Sequence, residues 1–126
     1  MVTRRGPVWW RAAIRSGAAI HVLEADDGIR GYVSFGRNRS RVSNHDGEIF
    51  ELYLDPVFQG LGFGRRLFLS ARRELRRRGL SGLIVWCLAE NERACGFYEH
   101  LGGVVTSQAR EFFGPRHLQR VAFTWG

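Results

Sequence analysis

Lysine is absent from this 126-residue chain, and all 19 of its basic residues are arginine. A Walker-type phosphate loop is therefore excluded, since that loop ends in Gly-Lys-Ser/Thr. Cysteine is scarce as well. Cys87 and Cys95 are too few and too isolated for a disulfide framework or a zinc site. No apolar run approaches the roughly 18 residues of a membrane span. The opening MVTRRGPVWW carries charge but lacks the apolar stretch of a secretory leader. These absences predict a cytoplasmic protein with no membrane partner.

What is present is globular. The hydrophobic fraction is 44%, and the length suits one domain, residues 1–126, with a real core. The net charge of +7 favours anionic partners, such as phosphate-bearing cofactors or nucleic acid. A solvated basic face would carry the same charge. No nucleic-acid motif accompanies it, so that partner is the weaker expectation.

The stretch WWRAAIRSG (9–17) predicts a short amphipathic helix ending at Gly17. AIHVLEA (19–25) and IRGYVSFG (29–36) alternate around Asp26-Asp27-Gly28 and predict an antiparallel pair. EIFELYLDP (48–56) reads as a strand closed by Pro56, which cannot continue a ladder. Leu67, Phe68, Ala71 and Leu75 share one face of a predicted helix that stops at Gly79. LSGLIVWCLAE (80–90) is a buried strand, and Asn91 caps a second helix over ERACGFYEHLG. VVTSQAREF and HLQRVAFTW predict a closing hairpin around Gly114-Pro115. Strand 48–55, helix 64–78 and strand 81–89 make a βαβ unit, so those strands are expected to be parallel. The fold class is α/β in the α+β sense. It is a mixed, mostly antiparallel sheet with a central parallel βαβ unit and helices on both faces.

QGLGFGRRL (59–67) puts three glycines in five positions at the start of the long helix. Free backbone N–H groups and a positive dipole end gather there, and glycine removes the Cβ atoms that would block an approach. The result is a cradle for an anion, most often a phosphate. Arg65 and Arg66 oppose the dipole, a conflict that a bound anion would resolve. A tight turn alone would usually need one glycine. The spacing is also a poor dinucleotide fingerprint, G-x-G-x-G midway along the chain.

Gln59-x-x-Gly62-x-Gly64 resembles the acetyl-CoA pyrophosphate loop of the GNAT superfamily of N-acetyltransferases. Two further stretches strengthen the resemblance. GEIFELYLDP is similar to the strand that leads into that loop. Asn91-x-x-Ala94-x-x-x-Tyr98-x-x-x-Gly102 is similar to the family's second cofactor motif. The resemblance implies acetyl-CoA as co-substrate, no metal, and an acceptor that is a small-molecule or peptide amine. It implies that Gln59, Gly60, Leu61, Gly62, Phe63, Gly64 and Arg65 hold the pyrophosphate. Leu52, Tyr53 and Leu54 would pair with the pantetheine, with Asn91 hydrogen-bonding it and Phe97 beside it. Tyr98 is the implied acid near the sulfur. Two glutamates compete for the base: Glu48, eleven residues before Gln59, and Glu51. They point to opposite faces of a regular strand, and a bulge would change that parity.

The chain also departs from the family pattern. The usual first strand and first helix have no counterpart ahead of 9–17, which predicts an open sheet edge and a homodimer. Gly103 stands where the family usually places an apolar residue, so looser packing is expected at the final hairpin. Two functions remain open at this point. One is an N-acetyltransferase; the other is a non-catalytic acyl-CoA-binding or regulatory module.

Overall fold

The computed structural model describes residues 13–17, 19–25, 28–40 and 43–126. Strand β1 (Ala13–Gly17) pairs antiparallel with β2 (Ile20–Ala25), which pairs antiparallel with β3 (Gly28–Arg37). The expected helix over 9–17 is thus overturned for 13–17; residues 9–12 lie outside the described residues. Five residues are too few for a self-sustaining helix. The register that sets Gly17 against Ile20 and Ile14 against Leu23 gives their backbone groups partners in a ladder instead.

Strand β4 (Gly47–Leu54) is followed by a 3-10 turn (Pro56–Phe58), helix α1 (Phe63–Arg77) and β5 (Leu83–Leu88). Helix α2 (Glu92–His100) and the hairpin of β6 (Val104–Phe113) and β7 (Arg116–Trp125) complete the chain. The strands form one mixed sheet in the order β1-β2-β3-β4-β5-β7-β6. β4 and β5 pair in parallel, as the βαβ reading requires, while β5 with β7 and β7 with β6 pair antiparallel. β4 stops at Leu54 because the chain turns. The Asp55 carboxylate accepts the Val57 N–H at 3.0 Å, and Pro56 leads the 3-10 turn.

Two compact units divide the chain, and β4 contributes to both. The first holds the described residues of Met1–Phe35 together with Phe50–Arg78. Its core is Leu23, Val33 and Phe35 from the strands against Leu67, Phe68, Ala71 and Leu75 of α1. Each fully buried leucine or phenylalanine there contributes roughly 1.5–3 kcal/mol. One polar group enters this core. His21 of β2 is 6% exposed and stands edge-on to Phe35, with ring centroids 4.9 Å apart. Ser70 gives its hydroxyl proton to the Leu67 carbonyl at 2.8 Å. The imidazole must therefore donate from Nδ1 to Ser70 Oγ, 2.9 Å away. Burial pushes the His21 pKa below 6.5; the Glu74 carboxylate opposes that shift and Arg78 adds to it.

The second unit holds the described residues of Gly36–Ile49 together with Gly79–Gly126. Asp46 ties the start of β4 to the approach to β5: its carboxylate accepts the Ser81 N–H at 3.1 Å and hydroxyl at 3.2 Å. Leu83, Ile84 and Val85 are buried with Ala122, Phe123 and Trp125 of β7. Gly103 is explained by Trp125. A Cβ at 103 would lie 2.6 Å from the indole Cζ2, and the indole N–H donates to the Leu101 carbonyl at 3.0 Å. The tryptophan fills the place where an apolar side chain was expected, so the predicted loosening does not occur.

The His21 shift fixes a sign. A histidine held neutral in the fold and free to protonate on unfolding favours the fold above pH 6.5. That contribution is lost as pH falls below 6.5. Urea unfolding midpoints taken from about pH 7 to about pH 5 should fall more steeply in the native chain than in His21→Gln. Parallel slopes would remove His21 from the account.

Candidate active site

The candidate cofactor residues of the first unit begin at the end of β4. Leu54 is buried, Leu52 half-buried, and Tyr53 is exposed with its ring tilted against Tyr32 at 5.9 Å. Glu51 is exposed. Gln59 closes the 3-10 turn: its side-chain amide donates to the Leu54 carbonyl at 3.0 Å, and its backbone N–H donates to Pro56 O at 3.2 Å. Gln59 therefore braces the loop through its amide.

Gly60 and Gly62 take φ values of 78° and 88°, the left-handed region that favours glycine. Gly62 is the N-cap of α1 and makes no side-chain cap hydrogen bond. The helix starts its own bonding at Arg66, whose N–H donates to Gly62 O at 3.1 Å. The N–H groups of Phe63, Gly64 and Arg65 precede any acceptor within the helix. The first turn holds no acid and carries Arg65 and Arg66. Leu61 is exposed, while Phe63 is buried, 5.8 Å from the Phe58 ring. This contact anchors the helix entry. A Cβ built at Gly60 or Gly62 meets nothing within 4 Å, so the ground before the helix is open. Donors, dipole, charge and space together fit a pyrophosphate.

The second unit holds the remaining candidates. The parallel ladder joins Gly47–Ile49 of β4 to Leu83–Val85 of β5; β5 itself runs on to Leu88 and β4 to Leu54. Glu48 is 4% exposed. Its carboxylate accepts the Arg39 backbone N–H at 2.8 Å, and the Arg39 guanidinium lies 3.4 Å away. Asn91 is the N-cap of α2, its Oδ1 accepting the Ala94 N–H at 3.1 Å. Tyr98 is 6% exposed in an aromatic wall, with ring centroids 5.1 Å from Phe97, 5.9 Å from Phe123 and 6.1 Å from Trp125. Burial first, and the neighbouring Cys87 second, push its pKa above the usual tyrosine value. The phenol accordingly keeps its proton at neutral pH.

Within the first unit the structure gathers Leu54, Gln59 and the glycine loop. Within the second it places Phe97 against Tyr98 and sets Asn91 at the head of their helix. Three features had no signal in the local pattern. Arg39 as the partner of Glu48 comes from a polar loop. Arg120 sits over Trp86, 4.4 Å from its centroid, across two strands. Cys87 and Cys95 meet across the strand-to-helix turn with sulfurs 3.5 Å apart. Among the described residues, no cluster of three or more His, Cys, Asp or Glu could hold a metal ion. No described helix is long and apolar enough to cross a membrane.

Comparison with known proteins identifies the family of the chain. The family model described as Acetyltransferase (GNAT) family matches residues 3–103. The uncharacterized N-acetyltransferase YuaI of Bacillus subtilis (strain 168) is 29% identical over 117 residues, 92% of this chain and 66% of that protein. The L-amino acid N-acyltransferase MnaT of Escherichia coli (strain K12) is 30% identical over 100 residues, 79% of this chain and 58% of that protein. The yncA structure from Salmonella typhimurium, solved with its cofactor acetyl-CoA, superimposes with a TM-score of 0.69 at 29% identity. That match covers 84% of this chain and 62% of the other. The chain spans less than two thirds of each of these relatives.

The cradle can be tested against a matched control. Gly79 also has a left-handed φ, 81°, and open space around a built Cβ, at the far end of α1. Alanine at either position should cost about 1–2 kcal/mol of stability, from backbone strain alone. Only Gly62→Ala should also weaken acetyl-CoA binding in a calorimetric titration. Equal affinity in the two variants would reduce the glycine loop to a turn.

Proposed function

Because the chain belongs to the acetyltransferase (GNAT) family, we propose that it transfers an acetyl group from acetyl-CoA to a primary amine. The transfer is a direct attack within a ternary complex. One observation carries this reading: α1 begins uncapped behind two left-handed glycines, with two arginines and no acid in its first turn. Such an end is poor on its own terms and favourable once a phosphate lies on it.

Backbone N–H groups from Gly60 to Arg65 take the pyrophosphate oxygens. The backbone of Leu52, Tyr53 and Leu54 pairs with the pantetheine, beyond the last rung that joins β4 to β5. The Asn91 amide, whose oxygen already caps α2, has its NH2 to donate, and Phe97 packs beside it. Bound acetyl-CoA supplies the thioester carbonyl. The acceptor amine, with a pKa near ~10, attacks only after losing a proton. We assign that proton to Glu48. The two Arg39 donors leave its carboxylate further lone pairs. Glu51 is the rival, exposed on the same strand. A backbone N–H of β4 beyond Ile49 faces the oxyanion.

Tyr98 donates to the departing thiolate. Its raised pKa limits how far that donation goes. A thiol ionises near ~8.5, so the phenol is the weaker acid. It stabilises the thiolate by a hydrogen bond and keeps its own proton. The acceptor is a small-molecule or peptide amine, and the protein acts as a homodimer. Support for self-association comes from β6, an edge strand with Val104, Val105, Phe112 and Phe113 exposed.

Titration with acetyl-CoA beside dephospho-CoA tests the first half of this reading. Micromolar acetyl-CoA binding, weakened without the 3′-phosphate, is the expected result; no binding would sink the proposal. The second half is tested by turnover against a panel of amines. A hydrogen bond to a charged sulfur is worth about 1.5–3 kcal/mol, so Tyr98→Phe should lower turnover roughly tenfold to a hundredfold at unchanged acetyl-CoA affinity. Glu48→Gln should lower it further while Glu51→Gln does not, and the reverse order would move the base to Glu51. Binding without turnover on any amine would make the chain an acyl-CoA-binding module.

A further inference from the structure

Cys87 lies near the end of β5, and Cys95 lies on α2, eight positions later in sequence. Both are free and half-buried. Their sulfurs stand 3.5 Å apart. The Cys95 sulfur also lies 3.6 Å from the Leu88 carbonyl and 4.0 Å from the Ala89 carbonyl, so it sits over the turn that joins the two elements. The acetyl-transfer chemistry uses neither thiol.

We propose that Cys87 and Cys95 form a reversible disulfide site, closed by a peroxide and reopened by a thiol reductant. A disulfide is about 2 Å long, so the sulfurs need to close by about 1.5 Å, within reach of small side-chain rotations. The two thiols have unequal parts. Burial first, and contact with Cys95 second, push the Cys87 thiol up to about 12, so it stays protonated. Cys95, on the helix side of the turn beside the Leu88 carbonyl, is the sulfur assigned to meet the oxidant, with Cys87 as its resolving partner. The Cys95 sulfur attacks the peroxide: an S–O bond forms, the O–O bond breaks, and hydroxide leaves to combine with the thiol proton as water. Cys95 is then a sulfenic acid. The Cys87 sulfur attacks it next. The S–S bond forms, the S–O bond breaks, and the hydroxyl departs with the Cys87 proton as a second water. Two thiols are oxidised and one peroxide is reduced to two waters. The closed loop contains Asn91, the N-cap of α2, so the bond pins the start of that helix to β5. Neither step involves acetyl-CoA, so the outcome is independent of the acetyl-transfer reading.

The test is to treat the folded, reduced protein with hydrogen peroxide, quench, unfold, alkylate and map peptides by mass spectrometry. The expected product has lost two hydrogen atoms, takes up no alkylating label, and yields one linked peptide pair holding Cys87 and Cys95. Dithiothreitol should restore both labels. Two variants test the order of steps. In Cys87→Ser, a dimedone adduct should appear at Cys95; in Cys95→Ser, Cys87 should stay unmodified at the same peroxide dose. Full labelling of both thiols after peroxide would overturn the site, and so would further oxidation of either without a link. A link found only between two chains would overturn it too. Adducts in the opposite pattern would overturn the assigned order. Should either variant fail to fold, the native peptide map alone decides.

Discussion

The acetyl-transfer reading of this chain depends on one unsatisfied end of a helix. α1 buries Phe63, Gly64, Leu67, Phe68, Ala71 and Leu75 along one face, so its rotation and its start are fixed by packing. That packing leaves the helix no freedom to repair its own N-terminus. An ordinary helix would place Ser, Thr, Asp or Asn at the cap and an acid in the first turn, each worth about 1 kcal/mol. This one has Gly62 and two arginines. Stability has been given up at a defined point, and the deficit has the sign and shape of an anion. Gln59 holds the approach in place by bonding back to Leu54 O, so the loop is built before any ligand arrives.

Glu48 illustrates what a buried strand carboxylate requires of the fold around it. Its burial pattern shows no alternation over Gly47, Glu48 and Ile49, all three buried. A carboxylate there needs donors, and Arg39 provides them from the loop before β4. Removing the carboxylate would leave the Arg39 backbone N–H without its acceptor. Loss of activity in an alanine variant would therefore confuse a structural role with a catalytic one. Glutamine keeps an acceptor oxygen in the same position and separates the two.

Features that depend on neighbours in sequence were legible. The β2–β3 pair, the turn at Pro56, both helices and the final hairpin follow from alternation, helical spacing and stop signals within a few residues. The glycine loop before α1 was legible for the same reason, since its signal is one compact run of glycines. Residues 13–17 were misread because five residues of mixed character suit a helix turn or a strand equally. Pairing with β2 decided the matter, and a ladder partner is not visible in local periodicity. Long-range contacts were illegible for a related reason. Nothing near Gly103 announces that Trp125 will occupy its Cβ position, and nothing near Cys87 announces Cys95.

Tyr98 shows why burial and acidity have to be argued together. A motif that places a tyrosine beside the expected sulfur suggests a proton donor. The aromatic wall of Phe97, Phe123 and Trp125 that fixes the ring also removes it from water. A desolvated phenolate is costly, so the packing that holds the ring makes its hydroxyl a weaker acid. A weaker acid than the leaving thiol still lowers the barrier, because a hydrogen bond to developing negative charge strengthens as that charge grows. The thiolate can then collect its proton from solvent after the bond has broken. In the proposed reaction Tyr98 is therefore a donor that assists departure and does not complete it.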